Sequence, residues 1–338
     1  MIAYLARRLG LAVVVVAGVV VLTFFIARVV PGNPAASWAG PHATPAVLAE
    51  VRARLGLDNP LPVQIIDYFR GILTGDWGVA IHTHQPVLAD IALRLPASLE
   101  LVVASLIIAV LVGVPLGAIS AYKKGRLSDH ALRTLAVFGV SMPVFWLALI
   151  LQMFFFKQLH IFPAAGEYDP QLQYSSPLTS YTGFTLFDAL ITGNFAVFTS
   201  ALSHIVLPAL AVAAYPVGVV MRMVRASVLE VSGEPHIQMV RALGFPERSI
   251  FGRFALRLAW SPVIQVLALV FAYALVNTFL VEAIFNWPGI GSYAAASITS
   301  LDTPAIMGIT LLIAIVYVVL NLLVDVLQAT LDPRIRLT

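Results

Sequence analysis

Six apolar runs, each long enough to cross a bilayer, constrain this chain more than any other feature of its sequence. They extend over about Leu9 to Ala27, Ala97 to Tyr122, Leu132 to Phe156, Leu202 to Met221, Trp260 to Val281 and Ala305 to Leu327. Each holds about 20 residues or more, which at about 1.5 Å per residue matches a hydrocarbon core of ~30 Å. Backbone amides cannot stay unpaired in lipid, and the period-2 alternation of a membrane barrel is absent. The runs therefore predict six transmembrane helices in an all-α polytopic protein. Composition agrees: 60% of the 338 residues are hydrophobic and 11% are charged, against about 25% charged in a soluble domain.

The net charge of +3 does not point to nucleic acid, because the basic residues sit in short clusters between apolar runs rather than along one face. Their distribution sets the orientation instead. With a cytoplasmic N-terminus, the inside segments carry 14 of the 20 Lys and Arg, from Arg7 and Arg8 through Lys123, Lys124 and Arg126 to Arg334 and Arg336. The outside segments carry 6, although they contain more sequence. Both termini are expected in the cytoplasm, in a multi-pass protein of the cell membrane. The first run is longer than a signal-peptide core, and no A-x-A site precedes Pro31, so it is expected to stay as a helix. The absence of cysteine excludes a disulfide framework and thiolate metal sites.

Outside the membrane, residues 31–96 carry helix punctuation. Thr44-Pro45 reads as an N-cap with Pro in the first turn, Gly56 as a C-cap, and Pro62 and Pro86 as further helix starts, which together predict a small helical cap. A second outside block, about Gly166 to Thr199, carries Tyr168, Tyr174, Tyr181, Phe184 and Phe187 among small polar residues. Its readings are an interfacial aromatic belt or contact with a partner.

The stretch VRALGFPERSIFGRF at 240–254 is out of place in so apolar a chain. Gly244 suits the left-handed position that ends a helix, and Pro246 suits the start of the next. Arg241 and Arg248 would cost about 2.5 to 3.5 kcal/mol each at the bilayer centre, so the elbow belongs in water. His236, Ile237, Val240, Arg241 and Gly244 recur at helical spacing and are expected to share a face.

The segment MRMVRASVLEVSGEPHIQMVRALGFPERSIFGRFALRLAWSP resembles the cytoplasmic loop of ABC importer permeases, with Ala242, Gly244 and Pro262 in register. The similarity runs along nearly the whole chain and is nearest to the oligopeptide, dipeptide and nickel branch. It includes LARRLGLAVVVV, LGLDNPLPVQ, GDWG, GVSMPVFWLALIL, HIVLPAL, VEAIFNWPGIG and NLLVDVLQATLDPRIR. Val240 stands where the family usually carries a small residue.

The resemblance implies a type I ABC-importer permease fold with an extracytoplasmic helical cap. Residues 1–95 would form the first helix and the cap. Residues 96–338 would form a five-helix transmembrane domain with an outside loop at 157–200 and a coupling loop at 222–258. It further implies ATPase docking by Glu234, His236, Ile237, Val240, Arg241, Ala242, Gly244 and Phe245. The implied partners are a second homologous permease, two ATPase subunits and an extracytoplasmic substrate-binding protein. Peptides are the expected cargo, with nickel chelates, glutathione or oligosaccharides as alternatives within the same importer class.

Several residues carry two readings. Glu282 ends an apolar run before FNWPGIG and either lines a path or is satisfied by nearby amides. Ser141, Met142 and Pro143 interrupt the third run, and Pro208 and Pro216 recur in the fourth. Ser141, Pro143, Asn277 and Glu282 are the candidates for a translocation path or gate. Gly113 and Gly117 form a G-x-x-x-G pair that suits close packing, within this chain or against a partner. His82 and His84 are too few for a metal site.

No catalytic, cofactor or metal residue is expected. The lysines, Lys123, Lys124 and Lys157, are followed by Lys, Gly and Gln, so the chain has no P-loop. ATP and Mg2+ would belong to the partner ATPases. An ion-coupled secondary transporter is the alternative of another class, but no internal repeat is visible and midplane carboxylates are scarce.

Overall fold

A computed structural model describes residues 2–29, 34–40, 43–54 and 56–331. Arg334 and Arg336 lie outside the described residues, as does Pro31. Among the described residues the secondary structure is helical, with one isolated β-bridge between Val79 and Pro86. Five helices are long and apolar enough to cross a membrane, or six when a bent pair is counted as one span.

The described chain forms two compact units. One comprises the chain up to Pro96 with Gly289–Val319, and the other comprises Ala97–Pro288 with the helix end beyond Leu320. The sequence places a boundary near residue 95, whereas packing brings the remote segment 289–319 to the N-terminal side. In that first unit, α1 (Ile2–Val29) is followed by α2 (Pro45–Arg54) and α3 (Leu61–Thr74). The expected punctuation is there. Val47 N donates to Thr44 Oγ1 at 3.4 Å, Gly56 is left-handed at φ +61°, and Pro62 lies in the first turn of α3.

The unit also contains the start of α4 (Val87–Ile108), then α12 (Ile290–Thr299) and the start of α13 (Thr303–Leu331). Asp302, fully buried between α12 and α13, joins these segments to the cap: its Oδ2 accepts from His82 N at 3.0 Å and lies 2.7 Å from His82 Nδ1. Arg94 donates to Asp90 Oδ1 at 2.6 Å and lies over the Tyr293 ring at 4.6 Å.

The second unit is built around one long helix. It contains the rest of α4, a π-turn over Ala109–Gly113, α5 (Val114–Tyr122), α6 (Leu127–Ser141) and α7 (Val144–Leu151). Next come α8 (Thr185–Ile191), α9 (Phe195–Ser232), α10 (Pro235–Ala242) and α11 (Trp260–Ile284). Asn194 caps α9, accepting from Val197 N at 3.2 Å. α9 runs unbroken through Pro208 and Pro216, both buried, and extends well beyond the apolar run at either end.

Glycines let the neighbours close on α9. A methyl on Gly117 would come 2.7 Å from Met221 O, and one on Gly218 would come 2.6 Å from Ala136 O. The G-x-x-x-G pair therefore packs inside this chain. Close approach replaces the hydrophobic drive that helices lack in lipid.

Candidate functional site: a braced elbow and a membrane cavity

At the elbow, α9 ends at Ser232, Glu234 is extended, and Pro235 opens α10. Leu243 closes α10 and Gly244 turns left-handed at φ +81°. Pro246 then caps a short turn, Glu247–Ser249, that runs into a π-turn at Ile250–Ala255. Two side chains anchor the bend: Ile237 is 1% exposed and Ile250 is fully buried. A cross-brace spans it. Arg241 Nε donates to Glu247 Oε1 at 2.6 Å and Arg241 Nη1 to Gln238 Oε1 at 2.9 Å. Glu247 thereby raises the Arg241 guanidinium above its ordinary value. Phe245 sets its ring edge-on to Phe254, with centroids 5.4 Å apart.

This geometry corrects the expectation of a single shared face. Ile237 turns inward and offers no side chain to a docking partner, because one side of α10 must bury against its own chain. Val240 and Arg241 are half-buried, while Glu234, His236, Ala242, Gly244 and Phe245 are exposed. Sequence reasoning missed Met239 and Leu243, which are 66% and 67% exposed on the solvent side. Their four-residue spacing on the side of α10 opposite Ile237 was the available signal.

A buried ion pair lies seven residues before the end of α9. Asp129, at the start of α6, accepts from Arg225 Nε and Nη2, each at 2.9 Å. Ser120 Oγ donates to the same carboxylate at 2.6 Å and Gly125 N at 3.0 Å. Four donors surround a side chain that is 1% exposed, which satisfies its oxygens and ties α5, α6 and α9 at one point.

The third run is not one gently kinked helix. α6 and the helix begun by α7 meet at 103° across Met142 and Pro143. Beside this break lies a cavity of about 220 Å³, lined by Met142, Pro143, Phe145, Tyr215, Tyr273 and Asn277 among others. Tyr215 and Tyr273 stack at 4.0 Å, and Asn277 Nδ2 donates to Tyr273 O at 2.8 Å. Pro143 and Asn277, far apart in sequence, thus meet. Ser141 is exposed at the break but does not line the cavity. Glu282 is fully buried, and Ser98 Oγ donates to it at 2.7 Å, in keeping with a carboxylate satisfied by its neighbours. Nearby, Trp287 Nε1 donates to Ala97 O at 2.9 Å, so this corner holds α4 to α11 rather than lining a channel.

The block at 166–199 is folded. Asp188 is fully buried at the start of α8 and accepts from Ser180, Thr182 and Gly183. Burial alone would raise its carboxyl, but these donors outweigh burial and hold it below the ordinary range. Tyr174 and Tyr181 project into solvent. His82 pairs with Asp302 while the His84 ring sits edge-on to Trp38, so the two imidazoles have separate partners.

Comparison with known proteins places this architecture. Residues 113–337 match the family described as binding-protein-dependent transport system inner membrane component, and residues 1–102 match its N-terminal region. The chain belongs to this family of ABC-importer permeases. It is 42% identical over 331 residues to the probable D,D-dipeptide transport system permease protein DdpB of Escherichia coli K12, covering 98% of this chain and 96% of that one. The dipeptide transport system permease protein DppB of Alkalihalophilus pseudofirmus is 38% identical over 336 residues, covering 99% and 100%. The di/tripeptide transport system permease protein DppB of Pseudomonas aeruginosa is 38% identical over 338 residues, covering 99% of each.

Proposed function

We propose that this chain is the permease of an ATP-driven importer of peptides, and that its elbow is where separate ATPase subunits dock. The carrying observation is that Met239, Leu243 and Phe245 are exposed on a braced backbone. A solvated loop has no need to hold three large apolar groups outward, whereas an apolar ridge rimmed by Glu234, His236 and Arg241 fits a groove on another protein. Peptide cargo is supported by the names of relatives similar over nearly the full chain.

The chain has no P-loop lysine, so ATP and Mg2+ belong to the ATPase subunits. A second homologous permease encloses the path with this one, a binding protein delivers cargo from outside, and both termini lie in the cytoplasm. Movement of the ATPases pushes the elbow, and the Asp129–Arg225 tie carries that push from α9 into α5 and α6.

Coexpression with the candidate ATPases tests this. Leu243→Asp and Met239→Asp, both at exposed positions, are expected to abolish copurification of the ATPase and peptide-stimulated ATP hydrolysis, while the chain keeps its melting temperature. Retention of both activities by the double variant would overturn the docking role.

A further inference from the structure

The break between α6 and α7 sets a condition that a lipid-facing surface cannot meet. Pro143 has no N–H, so the Gly139 carbonyl loses its i+4 donor. Met142 and Pro143 are both extended, with ψ of 132° and 127°. Irregular backbone at membrane depth is tolerated where it is buried in protein or lines a water-filled space. Ser141 and Pro143 are exposed, so the rest of this chain does not cover them, and Met142 and Pro143 form part of the cavity wall.

The rest of that wall points the same way. Tyr215, Tyr273 and Asn277 bring two phenols and a carboxamide to it, groups that hydrocarbon penalises unless they find partners. Tyr273 is one of the exposed residues of α11. Among the described residues no Asp, Glu, Lys, Arg or His lines the space. Its volume of about 220 Å³ is smaller than the roughly 300–1,000 Å³ of a complete ligand pocket, so it accommodates part of a cargo molecule.

We propose that this cavity is a peptide subsite on this chain's wall of the translocation path, where Tyr215, Tyr273 and Asn277 hold the passing cargo through uncharged contacts. The inference rests on the peptide-importer reading. Aromatic faces and neutral polar ends meet a peptide plane or an apolar side chain without selecting for charge. They also bind weakly enough to release, which passage requires. The wall is therefore indifferent to whether a side chain is acidic or basic, and selection by charge is left to other components.

The test uses the whole importer, with its partner permease, ATPases and binding protein, reconstituted in proteoliposomes. Uptake of Ala-Lys and Ala-Glu is compared in Asn277→Asp and Asn277→Lys. The subsite predicts opposite shifts in the uptake ratio: roughly tenfold toward Ala-Lys for Asn277→Asp and toward Ala-Glu for Asn277→Lys. A purely structural asparagine would lower both peptides by the same factor in both variants, which would overturn the proposal.

A second arm uses the absence of cysteine from this chain. Tyr273→Cys and Asn277→Cys should react with a charged thiol reagent at least several-fold faster than Leu111→Cys, a residue 68% exposed within an apolar span, and Ala-Ala with ATP should slow that reaction. Labelling no faster than at Leu111, or no protection by a peptide that the complex imports, overturns the subsite. If the unmodified complex imports no peptide with ATP, the importer reading fails and the subsite with it.

Discussion

Two arginine–carboxylate pairs of similar geometry sit along the segment 222–258, one near its start and one at the elbow, and their surroundings differ completely. Arg241 and Glu247 meet at 2.6 Å with side chains 34% and 45% exposed, whereas Arg225 and Asp129 meet at 2.9 Å with side chains 20% and 1% exposed. An exposed pair is worth about 0.2–1 kcal/mol, while removal of one partner from a buried pair costs about 3–5 kcal/mol. The elbow is therefore shaped by turn chemistry and two apolar anchors, and its ion pair is a minor brace. At the root of the segment the ion pair is the joint itself.

The largest effect that would break this contrast is expected from Asp129→Ala. It leaves the largely buried Arg225 without its acceptor and should cost up to about 3–5 kcal/mol, read as a lower melting temperature in detergent. The double variant Asp129→Ala with Arg225→Met should lose less than the sum of the two single changes.

Gly218→Ala comes next. Its methyl would meet Ala136 O at 2.6 Å and Val140 Cγ2 at 2.7 Å, and overpacking of this kind costs about 1–3 kcal/mol. Thermal unfolding would register it. At Gly244 the chain has open space but φ is +81°, so the effect is on the backbone alone. Gly244→Ala should cost about 1–2 kcal/mol and Gly244→Asn less. Hydrogen exchange should rise across 235–246 and leave α9 unchanged.

Arg241→Ala should move stability by about 0.2–1 kcal/mol, an effect that fades as salt is raised. An equal loss from Arg241→Ala and Asp129→Ala would refute the comparison.

The smallest effect concerns pH. The carboxyl of Asp188 is held below its ordinary value, so its contribution is present above the unfolded value of about 3.9 and is lost as pH falls through the lower folded value. Hydrogen exchange in residues 180–191 should stay constant from about pH 8 to 5 and rise only below about pH 4.

Much of this was legible along the chain. Pro45, Gly56, Pro62, Gly244 and Pro246 act where the sequence implies, because each sets its own backbone angles or removes its own donor. The break at Met142–Pro143 was visible too, but its 103° bend was not, since proline specifies an interruption and the neighbours set the angle. Ile237 and Met239 are two residues apart on one short helix. Which of them faces water depends on the chain packed beneath. Glu282 carries two readings along the chain, and the partner that satisfies it, Ser98, lies 184 positions away.

The sequence by itself determined that this protein crosses a membrane several times and where its elbow turns, because hydropathy and backbone chemistry act locally. Tertiary structure alone decided that Gly117 and Gly218 would line the seams along α9. It also decided that Asp129 would find Arg225 across 96 positions, and that Tyr215, Tyr273 and Asn277 would meet beside Pro143. Those outcomes depend on which helix faces lie together, and that is fixed by close packing between segments remote in the chain.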